Sequence, residues 1–368
     1  MEEELVCHVA DAKTRQARPP ASVPVHNGES RGATRRATAQ AERRVARHSR
    51  RCVRAAAGRG REGCRGSPFR QPPYPRCVLT LRPALPLAEW RAREDEHHAR
   101  ADALTAGRRA RAARGQTHPV DDFLYTYYSY KPAVLRRWHP GADVPLEGAA
   151  QTPRAQWRWY RAAGDDLVVD TAAFVADRGL LLTGVGNILR ATADARAQYG
   201  CFGLHEWAMV YREAEHRHPV PLRLGREGTD AVVDAHPLTC THFDAFRFFT
   251  PDAAPLNRRA LSRQAQVETE QPGCLHANMD LYKWAVKLGP LVPGALLLDA
   301  FELARDIREL DMRASPYDLA DWGYAPVPIE TPEGKAAYVT AQRAFADRAA
   351  VVRAALRDII ARAASSRG

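Results

Sequence analysis

Two things are scarce in this sequence: cysteine and, once the first 77 residues are set aside, net charge. Of the seven cysteines in the 368-residue chain, four (Cys7, Cys52, Cys64 and Cys77) fall before residue 78. The other three, Cys201, Cys240 and Cys274, form no Cys-x-x-Cys pair, which excludes the usual zinc-ribbon and zinc-finger spacings. They are also too few for a disulfide framework, so reduced thiols in a cytoplasmic protein are expected. No run of ~18 apolar residues occurs, and neither a membrane span nor a membrane partner is predicted. There is no internal repeat, which argues against a solenoid or propeller.

The formal charge of +11 belongs almost wholly to one end of the chain. Residues 1–77 hold sixteen Arg and one Lys against seven acidic residues, so 37 basic and 36 acidic residues are left for 78–368. That balance removes the electrostatic argument for a nucleic-acid-binding body. Residues 1–77 are rich in Arg, Ala, Gly, Pro and Ser, as in Arg59-Gly60-Arg61-Glu62-Gly63. Such a composition buries too little apolar surface to offset its ordering entropy, and a disordered basic tail is predicted. It reads either as a basic arm for nucleic acid or acidic membrane, or as upstream sequence from a misplaced gene start, with the protein beginning near Val78.

Residues 78–368 read as a single, mainly α-helical domain with a few short strands. From Pro86 to about Arg114, Leu87, Trp90, His97, Ala101 and Leu104 lie on one side of a helix. Helical patterns return over about 171–178, 186–197, 204–214 and 225–235, while Trp157-Arg158-Trp159-Tyr160 suits a buried anchor or short strand. Between Leu296 and Arg313, Leu297, Ala300, Phe301, Ala304 and Ile307 fall at core spacing. Thr331-Pro332-Glu333 offers a cap, a first-turn proline and a first-turn acid. The helix behind it carries Ala341, Phe345, Ala349, Val352, Leu356 and Ile359 on one stripe. Leu182-Thr183-Gly184-Val185-Gly186 resembles the hairpin of helix-hairpin-helix binders, and equally suits a glycine-containing helix entry. Glu302, Asp306 and Glu309 read as a solvated face with Arg partners.

What is present points to histidine. Each of the three later cysteines has one within four residues: Cys201 with His205, Cys240 between His236 and His242, Cys274 with His276. Glu206, Asp244 and Asp280 sit close by. Thiols and imidazoles bind soft or borderline metals, and act as nucleophile and base near neutral pH. Side chains two apart diverge by about 200° on a helix, so Cys240/His242 and Cys274/His276 share an ion only from extended or turn backbone. Cys201, His205, Cys240, His242 and Cys274, joined by His276, are a candidate zinc or iron set. A metal-free polar cluster closing the core is the alternative.

The helix expected after Gln271-Pro272-Gly273 has two apolar faces, one with Leu275, Met279, Tyr282 and Val286, the other with Ala277, Leu281, Trp284 and Leu288. Between them run His276, Asp280, Lys283 and Lys287. Apolar residues cover most of the circumference, so this polar stripe is expected to face the interior. Asp280 would then be an acid/base or positioning group between His276 and Lys283.

Several long segments carry a resemblance. They include His118-Pro119-Val120-Asp121-Asp122-Phe123-Leu124-Tyr125, Arg136-Arg137-Trp138-His139-Pro140-Gly141, and Cys201-Phe202-Gly203-Leu204-His205-Glu206-Trp207 running on to Arg212. Further matches are 242–251, 270–284 and 306–318. Over about residues 84–360 the chain resembles a family of actinobacterial proteins labelled 3-methyladenine DNA glycosylase. The resemblance implies a DNA-repair hydrolase that cleaves the N-glycosidic bond of an alkylated base, with DNA as partner and no cofactor. Such an enzyme needs a flipped-base pocket of aromatics and, in the helical class, an Asp. The residues available are Asp280 or Asp244 as the carboxylate, with Glu206, His276 and Lys283 near, and Trp207, Phe246, Trp284 and Tyr128 for stacking. Two other readings stay open: a metal- or thiol-dependent enzyme on a small molecule, and a non-catalytic helical protein.

Overall fold

The segments with the longest apolar stripes become the longest helices, and these set the architecture. The computed structural model describes residues 83–213 and 219–365; the predicted tail over 1–77 and the start near Val78 lie outside them. In chain order the helices are α1 (Leu87–Ala113), α2 (Phe123–Tyr127), α3 (Pro132–Arg136), α4 (Thr171–Asp194), α5 (Leu204–Ala208), α6 (Gly225–Asp234), α7 (Phe243–Phe246), α8 (Gln266–Thr269), α9 (Leu275–Lys287), α10 (Gly294–Arg313) and α11 (Pro332–Ser365). The protein is mainly α. Among the described residues the only sheet is a hairpin of β1 (Tyr160–Ala163) and β2 (Asp166–Val169), with Tyr160 opposite Val169. Gly164 supplies the positive φ its two-residue turn requires.

The core is built by α9 packing on α10 and α11, with α4 laid along α11. Eight consecutive residues of α9, Leu275 to Tyr282, are buried, because neighbours cover the helix on every side. α11 begins as its sequence predicts: the Thr331 hydroxyl accepts from Gly334 N at 3.0 Å, and Ala349, Val352, Leu356 and Ile359 are buried on one stripe. On α1, Trp90, His97, Ala101 and Thr105 form the inner side, whereas Leu87 is exposed. Asp122, before α2, accepts from Arg108 at 2.9 Å and Arg111 at 2.7 Å and so ties α2 to α1.

Four expectations need correction. The patterns at 171–178 and 186–197 are one helix, α4, bent where Arg178 leaves helical geometry (φ −123°, ψ 20°). Leu182–Gly186 is neither a hairpin nor a helix entry but the middle of α4, where a Cβ on Gly186 would sit 3.3 Å from Ile360 of α11. Glycine there permits close helix approach. The 204–214 pattern shortens to α5, whose last carbonyl, Ala208 O, accepts from Thr250 N at 3.1 Å in place of the next helical turn. Of Trp157–Tyr160, only Tyr160 enters a strand. Despite interspersed polar residues, α4 is long and apolar enough by composition to cross a membrane. The carboxylates of α10 are paired as expected: Glu302 with Arg100 at 2.7 Å, Asp306 with Arg348 at 2.9 Å and Glu309 with Arg313 at 3.3 Å.

Candidate metal centre

A turn that only glycine can make brings the histidines together. A Cβ on Gly273 would lie 2.4 Å from the Gln198 carbonyl oxygen. The Gln271 side chain accepts from both Gln198 N and Gly273 N at 2.8 Å, and Gln342 donates to Gly273 O at 2.6 Å. These contacts clamp the start of α9 against the strand of chain that leads to Cys201. His276, in the first turn of α9, then meets His205 of α5 with ring centroids 4.5 Å apart. α5 follows two positive φ values, 50° at Phe202 and 73° at Gly203. His242, just before α7, stacks on the other side of His276 at 5.3 Å. Three imidazoles from three segments thus line up in the interior.

Carboxylates complete two sets. His205, His276 and Asp311 each offer one ligand atom, and these atoms lie within 4.8 Å of one another; the same holds for His242, Glu270 and Asp280. All six residues are buried, Asp311 and Asp280 to 1 % exposure. In the first set His205 Nε2 is 2.9 Å from Asp311 Oδ1, yet neither atom has a hydrogen-bond partner. The separation is that of a hydrogen bond but the direction is not. His205 Nδ1 lies 3.5 Å from Cys201 Sγ, and Asp311 Oδ2 accepts from Arg308 at 2.9 Å. Arg308 also donates to Glu206 at 2.6 Å and stacks 3.7 Å over Phe123.

In the second set His242 Nδ1 stands 3.0 Å from Glu270 Oε1, and Nε2 stands 3.7 Å from Asp280 Oδ2. Again neither ring nitrogen has a directed partner. Glu270 accepts from Gln266 at 2.5 Å. Asp280 Oδ1 accepts from the Tyr128 hydroxyl at 2.7 Å, and Oδ2 pairs with Lys283, which also reaches Asp244 at 3.7 Å. Asp244 is held further by Arg263 at 2.5 Å.

The electrostatics follow from these contacts. Burial alone would keep His205 neutral, but Asp311 outweighs it and raises the imidazole well above its usual pKa. Burial likewise opposes ionisation of Asp311, and His205 reverses that and holds its carboxyl low. His242 is raised against burial by Glu270 and Asp280, and Glu270 is lowered against burial by His242. His276 is pushed well below its usual value by burial and then by His205, so it stays neutral with a lone pair to offer. A divalent ion would take the place of the proton on His205. An inward set of neutral imidazole and carboxylates, with nitrogen and oxygen atoms converging rather than bonding one another, suits iron, manganese or zinc.

Cys240 and Cys274 stand apart from both sets, and Cys201 touches the first through His205 Nδ1. Burial raises Cys240 well above the usual thiol range and Cys274 to about 12, and Cys240 Sγ contacts only the His242 carbonyl oxygen at 3.5 Å. Of the residues singled out for stacking, Trp207 is a core residue donating to Ala314 O at 2.9 Å, and Tyr128 is committed to Asp280. Phe246 and Trp284 are half-buried, with Lys283 4.2 Å over the Trp284 ring. Asp280, Asp244, His276 and Lys283 do come together, and Glu206 joins the Arg308 side. Glu270, Arg308 and Asp311 were not singled out. Arg308 and Asp311 had a visible signal, since both fall on the apolar stripe of α10 beside Ala304 and Ile307. Glu270 had none. No protein-family model, no curated protein and no solved structure matches this chain, so its own geometry carries the functional reading.

Proposed function

We propose that this protein is a metal-dependent enzyme of the non-haem iron type acting oxidatively on a small molecule, with His205, His276 and Asp311 holding the ion. One observation supports the reading most: two imidazoles and one carboxylate, all buried, with ligand atoms converging within 4.8 Å. Two histidines and a carboxylate leave positions on an iron open for oxygen and substrate. When bound, the ion supplies one-electron and oxygen chemistry. The chain's own residues do the rest. Arg308 neutralises Asp311 and fixes its outer oxygen, Cys201 orients the His205 ring from its far nitrogen, and the surrounding helices keep water out. A cavity of about 330 Å³ between α1, α2 and α10 has Leu124, Tyr125, Phe301 and Arg308 in its wall. That volume suits a small molecule, and Arg308 links it to Asp311.

Metal analysis of untagged protein, loaded with ferrous iron without oxygen, tests this. The expected result is bound iron in the wild type and loss of an ion in Asp311→Asn and His205→Gln. No retained iron, retention undiminished in both variants, or zinc that iron fails to displace would each overturn the reading.

A second reading, excision of an alkylated base, rests on the resemblance and on Asp280 lying beneath the Tyr128 hydroxyl. It asks Asp280 or Asp244 to meet a flipped base, while Lys283 and Arg263 already occupy those carboxylates. Free base released from methylated DNA, and lost in Asp280→Asn, would support it over the metal reading.

A further inference from the structure

We propose that His242, Glu270 and Asp280 form a second divalent-cation site beside the first, making the interior a dinuclear centre, with Lys283 as the counter-cation when the second ion is not bound. The proposal rests on the reading above only for the neighbouring ion. A cluster of charges held together by protons would look different. A charged imidazole between two carboxylates aims each N–H along an oxygen lone pair. His242 does not. It is fully buried, stands 3.0 Å from Glu270 and 3.7 Å from Asp280, and directs neither nitrogen at a partner. An ion held by one ring nitrogen of His242 with one oxygen each of Glu270 and Asp280 accounts for this convergence, since the three offered atoms lie within 4.8 Å of one another.

The surroundings supply what a metal-bound set needs. Gln266 and Tyr128 donate to the outer lone pairs of Glu270 and Asp280, the second layer of hydrogen bonds that orients carboxylate ligands. Lys283 has two anions in reach, Asp280 and, at 3.7 Å, Asp244. It can turn wholly to Asp244 as Asp280 turns to an ion, and loss of the His242 proton then offsets part of the added charge. His276 belongs to the first set and stacks on His242 of the second, so the two sites share a wall. Mixed imidazole and carboxylate ligands without thiolate suit ferrous, manganous or zinc ions.

The test is anaerobic equilibrium dialysis of the full chain against ferrous or manganous ion. Wild type should bind two ions per chain, and Glu270→Gln and Asp311→Asn should each bind one. Lys283→Met should still bind two, the weaker one at about tenfold lower free metal, because a competing cation is gone. Circular dichroism establishes that each variant is folded, and His242→Gln replaces Glu270→Gln if the latter is not. Saturation at one ion, lost in Asp311→Asn and kept in Glu270→Gln, overturns the second site and leaves the first standing. Absence of any bound ion overturns both.

Discussion

Arg308 concentrates the energetics of the site in one side chain. Its guanidinium is 1 % exposed, donates to Glu206 and Asp311, and lies flat on Phe123. Truncating one partner of such a group leaves the others as uncompensated buried charges, at about 3–5 kcal/mol. Arg308→Met should therefore cost about that much in urea unfolding, and the double change with Glu206→Leu should regain part of it. A cost under ~1 kcal/mol would mean that the group is solvated after all. Both bonds leave from Nη1, so Arg308→Lys should recover the pairing but not the contact with the Phe123 ring, and regain only part of the loss. The residue scale also shows where sequence reasoning stops. His205, His242, His276 and Asp280 are visible because histidine near cysteine is unusual and Asp280 falls on a polar stripe. Glu270 is invisible because its partner, His242, is brought to it by packing between distant segments, with Gln271 donating to Thr241 at 3.5 Å beside the pair, and not by any local period.

At the scale of elements, His139 joins two of them. Its carbonyl accepts from Gly294 N at the start of α10, 2.9 Å away, and its Nδ1 meets the Tyr160 hydroxyl of β1 at 2.9 Å. Burial, then Arg154 and Arg137, push its pKa down to about 3, so the neutral ring accepts from Tyr160. The folded value lies below the unfolded value near 6.5. Its contribution is thus complete above about pH 6.5 and is lost progressively as the pH falls toward 3. Melting curves from pH 7 to 4 should show wild type losing roughly 1–3 kcal/mol more than His139→Gln; parallel curves would refute the assignment. The helices themselves were largely legible. α1, α6, α10 and α11 follow their apolar periods because each presents one face to the core. α4 misled, since a helix that meets α11 through Gly186 uses small residues where the period looks for large ones. α5 stopped short because Thr250 N takes the Ala208 carbonyl and Arg212 N turns to Asp230, contacts with distant residues that no local period shows.

The whole molecule gathers its ligands from positions 205 to 311, on α5, α9, α10 and the segments before α7 and α9. An ion bound there ties these elements together and stabilises the folded chain alone. At a free metal level a hundredfold above Kd, that linkage is worth about 2.7 kcal/mol. Chelation should lower the melting temperature of the full chain, and the temperature should climb again with added metal in wild type but not in Asp311→Asn with Glu270→Gln. A melting temperature indifferent to chelator would refute the linkage.

The seclusion of the six ligands has a consequence for time as well as for energy. With His242, Asp280 and Asp311 almost wholly shut off from solvent, an ion cannot walk in through the native fold. Entry and exit must wait for the structure to open, so chelators should strip the protein at a rate set by its breathing and insensitive to their concentration. An ion held in this way would exchange only as fast as the fold opens, so loading and stripping would share one slow rate.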